Sequence, residues 1–131
     1  MAEGFARLYG KDVLIASSSG LAPTDIIVRE TIECMREKGV DLTDQYPKRY
    51  DPHTSVHLDL IINMSGYDLP EPILVPFRNW MVRDPIGQSE EVYRECRDHI
   101  ERQVMQLILQ LRRESRGPAQ KMPVRRANPT D

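Results

Sequence analysis

The apolar residues of the chain follow two spacings, one of three to four residues and one in which apolar residues are consecutive or alternate. The first spacing predicts a short helix over Ala2–Tyr9, with Phe5, Leu8 and Tyr9 on its buried face. Gly10 follows directly, and glycine is the residue type that most often ends a helix. The chain therefore opens on a helix rather than on a strand.

Two more helices are predicted further along the chain. Thr24 is a typical N-cap residue, and a helical period continues from it to Gly39, which ends the second helix. Ser89 caps the longest helix, and acidic residues occupy the first turn that follows it. The apolar stripe of this last helix, spaced at three and four residues, consists of Val92, Cys96, Ile100, Val104, Leu107, Ile108 and Leu111.

Three short apolar runs predict strands at Val13–Ala16, Leu58–Met64 and Ile73–Val75. Pro76 follows the third run and limits pairing beyond it, because proline has no amide hydrogen to donate. Strands that alternate with helices are typical of an α/β fold with a parallel sheet flanked by helices. Three strands are few for such a sheet, so the count indicates that one strand is missing.

Composition narrows the class of protein without naming a function. Of the 131 residues, 40% are hydrophobic and 29% are charged, which suits one globular domain. The formal charge of −2 gives no electrostatic reason to expect nucleic acid or a membrane as a partner, and no run approaches the ~18 apolar residues of a membrane span. Cys34 and Cys96 lie far apart among charged residues, so we expect two free thiols in a reducing cytoplasm.

An ordered set of motifs resembles one family. The opening "MAEGFARLYG" is similar to the segment that follows the phosphate-binding loop of low-molecular-weight protein tyrosine phosphatases and the related arsenate reductases. The stretches "IASSSG", "ETIECMREKGVDLTDQYPKRY", "LDLIINM", "NWMVRDPIG" and "EEVYRECRDHIE" resemble later parts of that family in the same order. The resemblance implies a three-layer phosphotyrosine phosphatase I-like fold over residues 1–113, followed by a basic tail over residues 114–131.

The resemblance also marks one site residue. Asp84, four residues after Trp80 and just before Pro85, matches the general-acid position of the family, where an acid protonates the leaving oxygen. An Asp-Pro pair also opens many turns, and that role alone would explain it. Ile86 stands where many phosphatases of the family have a tyrosine that packs against an aryl substrate, which leaves the substrate class open.

The first strand of the family and its Cys-x5-Arg loop have no counterpart in the sequence. In the family that loop supplies the nucleophilic thiolate, a ring of backbone amides and the arginine that together hold phosphate. Without the loop we expect phosphate or arsenate to bind weakly or not at all, and the chain as given to be catalytically inactive. No motif implies a cofactor.

Other arrangements of reactive residues have simpler explanations. Cys96 and Arg102 have the Cys-x5-Arg spacing, but no glycine lies between them and the segment has a helical pattern, so its amides cannot converge on an anion. Cys34 lies in the second predicted helix and is expected to be an ordinary, partly buried thiol. His53 and His57 share one helical face, as zinc ligands can, but a third ligand is not apparent, so no metal site is predicted.

Two interpretations of function follow. In the first, the chain is a phosphatase-like domain without its active loop and acts as a binding or assembly module. In the second, it is part of an active protein tyrosine phosphatase or arsenate reductase whose start was placed at an internal methionine of the motif. Thioredoxin-linked arsenate reductases carry two cysteines just after the third strand of the fold, and the stretch "SGYDLP" at residues 65–70 has none, so the phosphatase branch is expected to be nearer.

The absent strand also predicts a homodimer. In the strand order 2-1-3-4 of the family, the absent strand is an interior one, flanked here by Val13–Ala16 and Leu58–Met64. A buried backbone group without a partner costs about 1–3 kcal/mol, so neither edge can stay open without a large loss of stability. We expect a second copy to cover these edges, the first helix or the tail.

Overall fold

A computed structural model describes residues 1–116 of the chain. In that part the elements are α1 (Ala2–Tyr9), α2 (Arg29–Arg36), a 3₁₀-helix (Thr54–His57), β1 (Ile61–Asn63), β2 (Phe77–Asn79) and α3 (Glu90–Arg116). The two strands pair in parallel and helices flank them, which confirms the predicted α/β class. Residues 114–116 of the predicted tail form the end of α3, and residues 117–131 lie outside the described residues.

The helix α1 has the bounds that the sequence predicts, and its backbone lies close to its neighbours. A Cβ atom added to Gly4 would lie 2.7 Å from Val40 Cγ1, so glycine is what allows this approach. Leu8 is 44% exposed, and its predicted place on the buried face is wrong. The buried face of the helix instead consists of Ala2, Phe5, Ala6 and Tyr9, which are in the core or pack against it.

The predicted strand at Val13–Ala16 does not form. The carbonyl of Gly10 accepts hydrogen bonds from the backbone amides of Val13 and Leu14, both at 3.0 Å, so the chain turns here. The side chain of Ile15 is fully exposed. A strand is held by its neighbour's hydrogen bonds, and no strand within residues 1–116 lies beside this segment.

The helix α2 is shorter than predicted at its start. Thr24 Oγ1 donates to the carbonyl of Ile26 at 2.8 Å, which makes a local turn in place of an N-cap, and the helix begins at Arg29. Its end agrees with the prediction, because Gly39 has φ = +74° and the amide of Val40 reaches back to the carbonyl of Met35 at 3.0 Å. This is the hydrogen bond that closes a helix at a left-handed glycine.

The sheet has a different second strand from the one predicted. Ile61 pairs with Phe77 and Asn63 with Asn79, so the strand follows Pro76 and the prediction of a strand at Ile73–Val75 is wrong. The physical reason is that Pro76 lacks only a donor: its carbonyl accepts from Ile61 N at 3.0 Å and starts the ladder. Of the predicted strand Leu58–Met64, only Ile61–Asn63 forms a strand, which is β1.

The helix α3 confirms the longest predicted element. Ser89 Oγ accepts from the amide of Val92 at 3.4 Å, as an N-cap side chain does. The helix contacts both α1 and α2, and the core between these three helices also takes in the segment after α2. Four residues of the predicted stripe are buried, namely Cys96, Ile100, Val104 and Ile108, while Val92, Leu107 and Leu111 are half-buried.

Candidate functional site

The carboxyl ends of β1 and β2 lie side by side and are joined by one buried amide. Asn63 Nδ2 donates to Asn79 Oδ1 at 2.9 Å and to the carbonyl of Tyr67 at 2.7 Å. Asn63 Oδ1 accepts from the amide and the hydroxyl of Ser65 at 3.1 and 2.7 Å. The network fixes the loop after β1 and the end of β2, at the edge of a parallel sheet where ligands bind in α/β proteins. The motif "LDLIINM" contains Asn63, but only the paired strands reveal its partner.

Asp84 lies on the exposed turn that follows β2. Its Oδ1 accepts from the amide of Ile86 at 3.0 Å, and Gln88 N donates to the carbonyl of Pro85 at 2.9 Å. Gly87 supplies the positive φ of +78° that the turn requires. The carboxylate therefore stabilises the turn through one oxygen, and its second oxygen has no hydrogen bond to the described residues. Its role as a general acid stays a prediction.

The two thiols are both buried in helices. Cys34, in α2, is 5% exposed, its Sγ donates to the carbonyl of Thr31 at 3.5 Å, and burial raises the pKa of this thiol. Cys96, in α3, is 4% exposed, and burial likewise raises its pKa, with the charges of Arg83 and Asp84 acting on it in opposite directions. A raised pKa keeps sulfur protonated, and a protonated thiol is a poor nucleophile.

The Cys-x5-Arg spacing of Cys96 and Arg102 lies wholly inside α3. The backbone amides between the two residues belong to a regular helix and point along its axis, so they do not surround an anion. This confirms the interpretation of that spacing as coincidence. A helix interior is in this respect the opposite of a phosphate-binding loop, whose amides converge on one point.

A cleft of about 290 Å³ lies between α2 and the serine-rich segment "SSSG". Its walls include Ser18, Ser19 and Gly20, and also Ile86 from the turn that carries Asp84. Ser18 Oγ donates to the carboxylate of Glu3, which is itself buried and also pairs with Arg7 at 2.7 Å. The sequence shows the four-residue spacing of Glu3 and Arg7, whereas the bond to Ser18 depends on tertiary structure.

The structure brings no metal-binding group together within residues 1–116. His53 and His57 are both exposed, and the described histidine, cysteine and acidic side chains do not form a cluster of three or more that would hold an ion. None of the helices in this part of the chain has the length and apolar character that crossing a membrane requires.

Comparison with known proteins places this chain and its fold in a family. The chain is 30% identical over 115 residues to the glutaredoxin arsenate reductase of Synechocystis sp. (strain ATCC 27184 / PCC 6803 / Kazusa). This alignment covers 85% of this chain and 87% of that protein. It is 30% identical over 105 residues to an arsenate reductase of Staphylococcus xylosus, and this alignment covers 76% of this chain and 79% of that protein. No protein-family model matches the sequence.

Solved structures agree with these relatives. An arsenate reductase in the reduced state superposes with a TM-score of 0.74 at 28% identity, covering 83% of this chain and 86% of that one. An arsenate reductase in the phosphate binding state gives a TM-score of 0.73 at 30% identity, covering 84% and 86%. The fold is that of a phosphatase-like α/β protein, and the chain belongs to the arsenate reductase family. The expectation that the phosphatase branch is nearer is not confirmed by these relatives.

Proposed function

We propose that the 131-residue chain is a non-catalytic member of the arsenate reductase family that acts as a binding or assembly module. The observation that carries the proposal is the position of its two thiols. Cys34 and Cys96 are buried in helices with raised pKa values, so neither offers a thiolate to an arsenate or phosphate ion. A cytoplasmic location belongs to the same proposal and is supported by the free state of both cysteines.

Two assays test this proposal. The chain is incubated with arsenate, glutathione and glutaredoxin, and separately with para-nitrophenyl phosphate, beside the Synechocystis relative as the positive control. We expect no turnover above buffer in either assay, and the same result for Asp84→Asn. Turnover by the chain that is lost in Asp84→Asn would contradict the proposal and assign Asp84 its general-acid role.

Weak anion binding is the second part of the proposal. A ligand that binds only the folded state raises stability by RT ln(1 + [L]/Kd), which is about 2.7 kcal/mol at a hundredfold excess over Kd. We expect the melting temperature in a few millimolar arsenate or phosphate to equal the melting temperature in chloride at the same ionic strength. A clear rise with arsenate alone would show an anion site within this chain.

A second candidate function is supported by the open edge of β1. The ladder uses the backbone groups of Ile61 and Asn63, so those of Ile62 point away from β2, and no strand of residues 1–116 pairs with that edge. An additional strand and loop joined ahead of Met1 would fit there and make the chain part of an active arsenate reductase or phosphatase. The buried amide network of Asn63 and the turn of Asp84 would then border a complete site.

A fusion protein separates the two candidates. The residues of the Synechocystis relative that precede the matched segment are joined ahead of Met1, and arsenate reduction is measured as above. Activity that needs both the added cysteine and Asp84 supports the second candidate. An inactive but stably folded fusion supports the first, and the nucleotide sequence upstream of the Met1 codon gives an independent check.

We also propose that the chain forms a homodimer. The open edge at Ile62 and the fully exposed side chain of Ile15 support a second copy as the covering surface. Sedimentation at micromolar concentration tests this. We expect a concentration-dependent species above the 15.2 kDa of one chain, and a constant monomer mass would contradict it.

A further inference from the structure

The side of α3 that faces away from the core is exposed along most of the helix, and we call it the α3 outer face. Its residues recur at spacings of three, four and seven, so they lie on one side of the helix, opposite the buried residues Ile100, Val104 and Ile108. The exposed members of the α3 outer face, in chain order, are Glu91, Glu95, Arg102, Gln106, Leu109 and Arg113.

The charges of the α3 outer face are separated along the helix. The two acidic residues, Glu91 and Glu95, come first, and the two basic residues, Arg102 and Arg113, follow them. The helix macrodipole favours this order within the first and last turns only. Glu95 and Arg102 lie outside those turns, so the dipole does not account for the separation.

The four charged side chains of this face form no ion pair and no side-chain hydrogen bond within residues 1–116. Other charges of α3 are engaged inside the chain. Arg94 and Arg97 both bind the carboxylate of Glu37, and Arg112 binds Asp12 at 2.8 Å. The α3 outer face therefore presents separated charges that the described part of the chain does not neutralise.

We propose that the α3 outer face binds the same face of a second copy of the chain, with the two helices antiparallel. When the twofold axis passes near Val104, Glu95 of each copy lies opposite Arg113 of the other. Glu91 of each copy then faces Arg116, the last residue of α3. Parallel helices would place Glu95 against Glu95 and Arg113 against Arg113, which is repulsive. Charge complementarity therefore selects a second copy in one orientation.

The middle of the α3 outer face adds an uncharged contact to this pair. Leu109 is 46% exposed, and in the antiparallel arrangement it lies close to Arg102 of the other copy. The methylene groups of an arginine cover apolar surface while its guanidinium stays in water. Gln106 lies opposite the same arginine and offers its amide oxygen as an acceptor. No acidic or basic side chain is thus placed against one of the same sign near the axis.

The expected association is weak. Ion pairs between exposed side chains contribute little individually, so we expect a dissociation constant of about 100 µM, and at low micromolar concentration the α3 outer face is open. The inference does not depend on whether the chain is catalytic. It also concerns a different surface from the open edge of β1, which supports the proposed homodimer.

A charge exchange tests the pairing, because Glu95 and Arg113 lie about 27 Å apart along the axis of α3 and cannot meet within one chain. The mass of the full chain is measured by sedimentation equilibrium at low salt from about 5 to about 500 µM. We expect the average mass of the wild type to rise over this range. Glu95→Arg alone and Arg113→Glu alone are each expected to weaken the association at least about tenfold.

A one-to-one mixture of the two variants is expected to restore the association, because every arginine then lies opposite a glutamate. Glu30→Arg makes the same charge change on α2, at an exposed position without an ion pair to the described residues, and is expected to alter the association less than about twofold. Circular dichroism shows whether each variant folds normally.

Three results would overturn the proposal. The first is a wild-type mass that does not change with concentration, and the second is a mixture that associates no more than its two components. The third is a mass that rises in both single variants as it does in the wild type, which would leave a homodimer through the β1 edge standing. Association of the wild type only after addition of single-stranded RNA, and its loss in Arg113→Glu, would also overturn the proposal in favour of a nucleic-acid partner.

Discussion

Asn63 Nδ2 and Asn79 Oδ1 lie 2.9 Å apart, so the last residue of β1 is hydrogen-bonded to the last residue of β2. Asn63 is 7% exposed, and its amide uses both donors and its oxygen accepts twice. A buried side chain with every hydrogen bond made fixes its neighbours in one arrangement. The loop after β1 and the segment that leads to Asp84 therefore have a common support.

Asn63→Asp is expected to destabilise the fold. The substitution turns two donors into acceptors that face the carbonyl of Tyr67 and the oxygen of Asn79, so we expect a loss of about 3 kcal/mol near neutral pH. Urea denaturation measures it. Gln88→Glu makes the same chemical change at an exposed position and is expected to stay within about 0.5 kcal/mol of wild type. Equal effects of the two variants would contradict the role given to Asn63.

Gly4→Ala is expected to cost about 1–3 kcal/mol, although alanine favours helix formation. The reason is the 2.7 Å distance between a Cβ at this position and Val40 Cγ1. The matched test is the double variant Gly4→Ala/Val40→Ala, in which the methyl group meets a smaller side chain. Thermal denaturation of the two single variants and the double variant should give a favourable coupling energy, and strict additivity would show that the close approach is unimportant.

The ion pairs of Glu37 predict a dependence of stability on pH. Arg94 Nη2 lies 2.9 Å from Glu37 Oε2, Arg97 Nη1 lies 2.6 Å from Oε1, and these hydrogen bonds lower the pKa of Glu37 from its usual 4.5 to about 2. A lowered pKa means that the unfolded chain takes up a proton first as pH falls. The stabilisation is therefore complete above pH 4.5 and disappears as pH falls from 4.5 to about 2.

Glu37→Gln tests this pH dependence. The difference in melting temperature between wild type and variant is expected to be constant above pH 5 and to shrink steadily below it. Glu95→Gln, at an exposed position of α3 with no ion pair to the described residues, serves as the control for removal of a carboxylate. A Glu37→Gln difference that is independent of pH down to the acid limit would contradict the lowered pKa.

Sequence signals that act within a few residues predicted the structure well. The bounds of α1, the cap at Ser89 and the glycine that ends α2 all depend on neighbours in the chain, so periodicity and capping rules suffice for them. The strands were predicted less well, since a strand forms only where a neighbour offers hydrogen bonds. Val13–Ala16 has an apolar sequence but no partner strand within residues 1–116, so a turn ends at Val13 and the next three residues are irregular.

In the candidate site, too, local features could be predicted from the sequence and contacts between distant residues could not. The burial of Cys96 and its helical setting followed from the pattern around it. The contact of Glu3 with Ser18, and that of Asn63 with Asn79, join residues far apart in sequence and became visible only with the fold.

Alkylation of the native chain tests the central claim, the absence of a nucleophilic thiolate, most directly. The chain is treated with iodoacetamide at pH 7, with and without arsenate, and the mass of the intact protein is followed over time. We predict that Cys34 and Cys96 stay unmodified in the native chain and that both react once urea unfolds it. Rapid, stoichiometric modification of one thiol in the native chain, blocked by arsenate, would contradict the account.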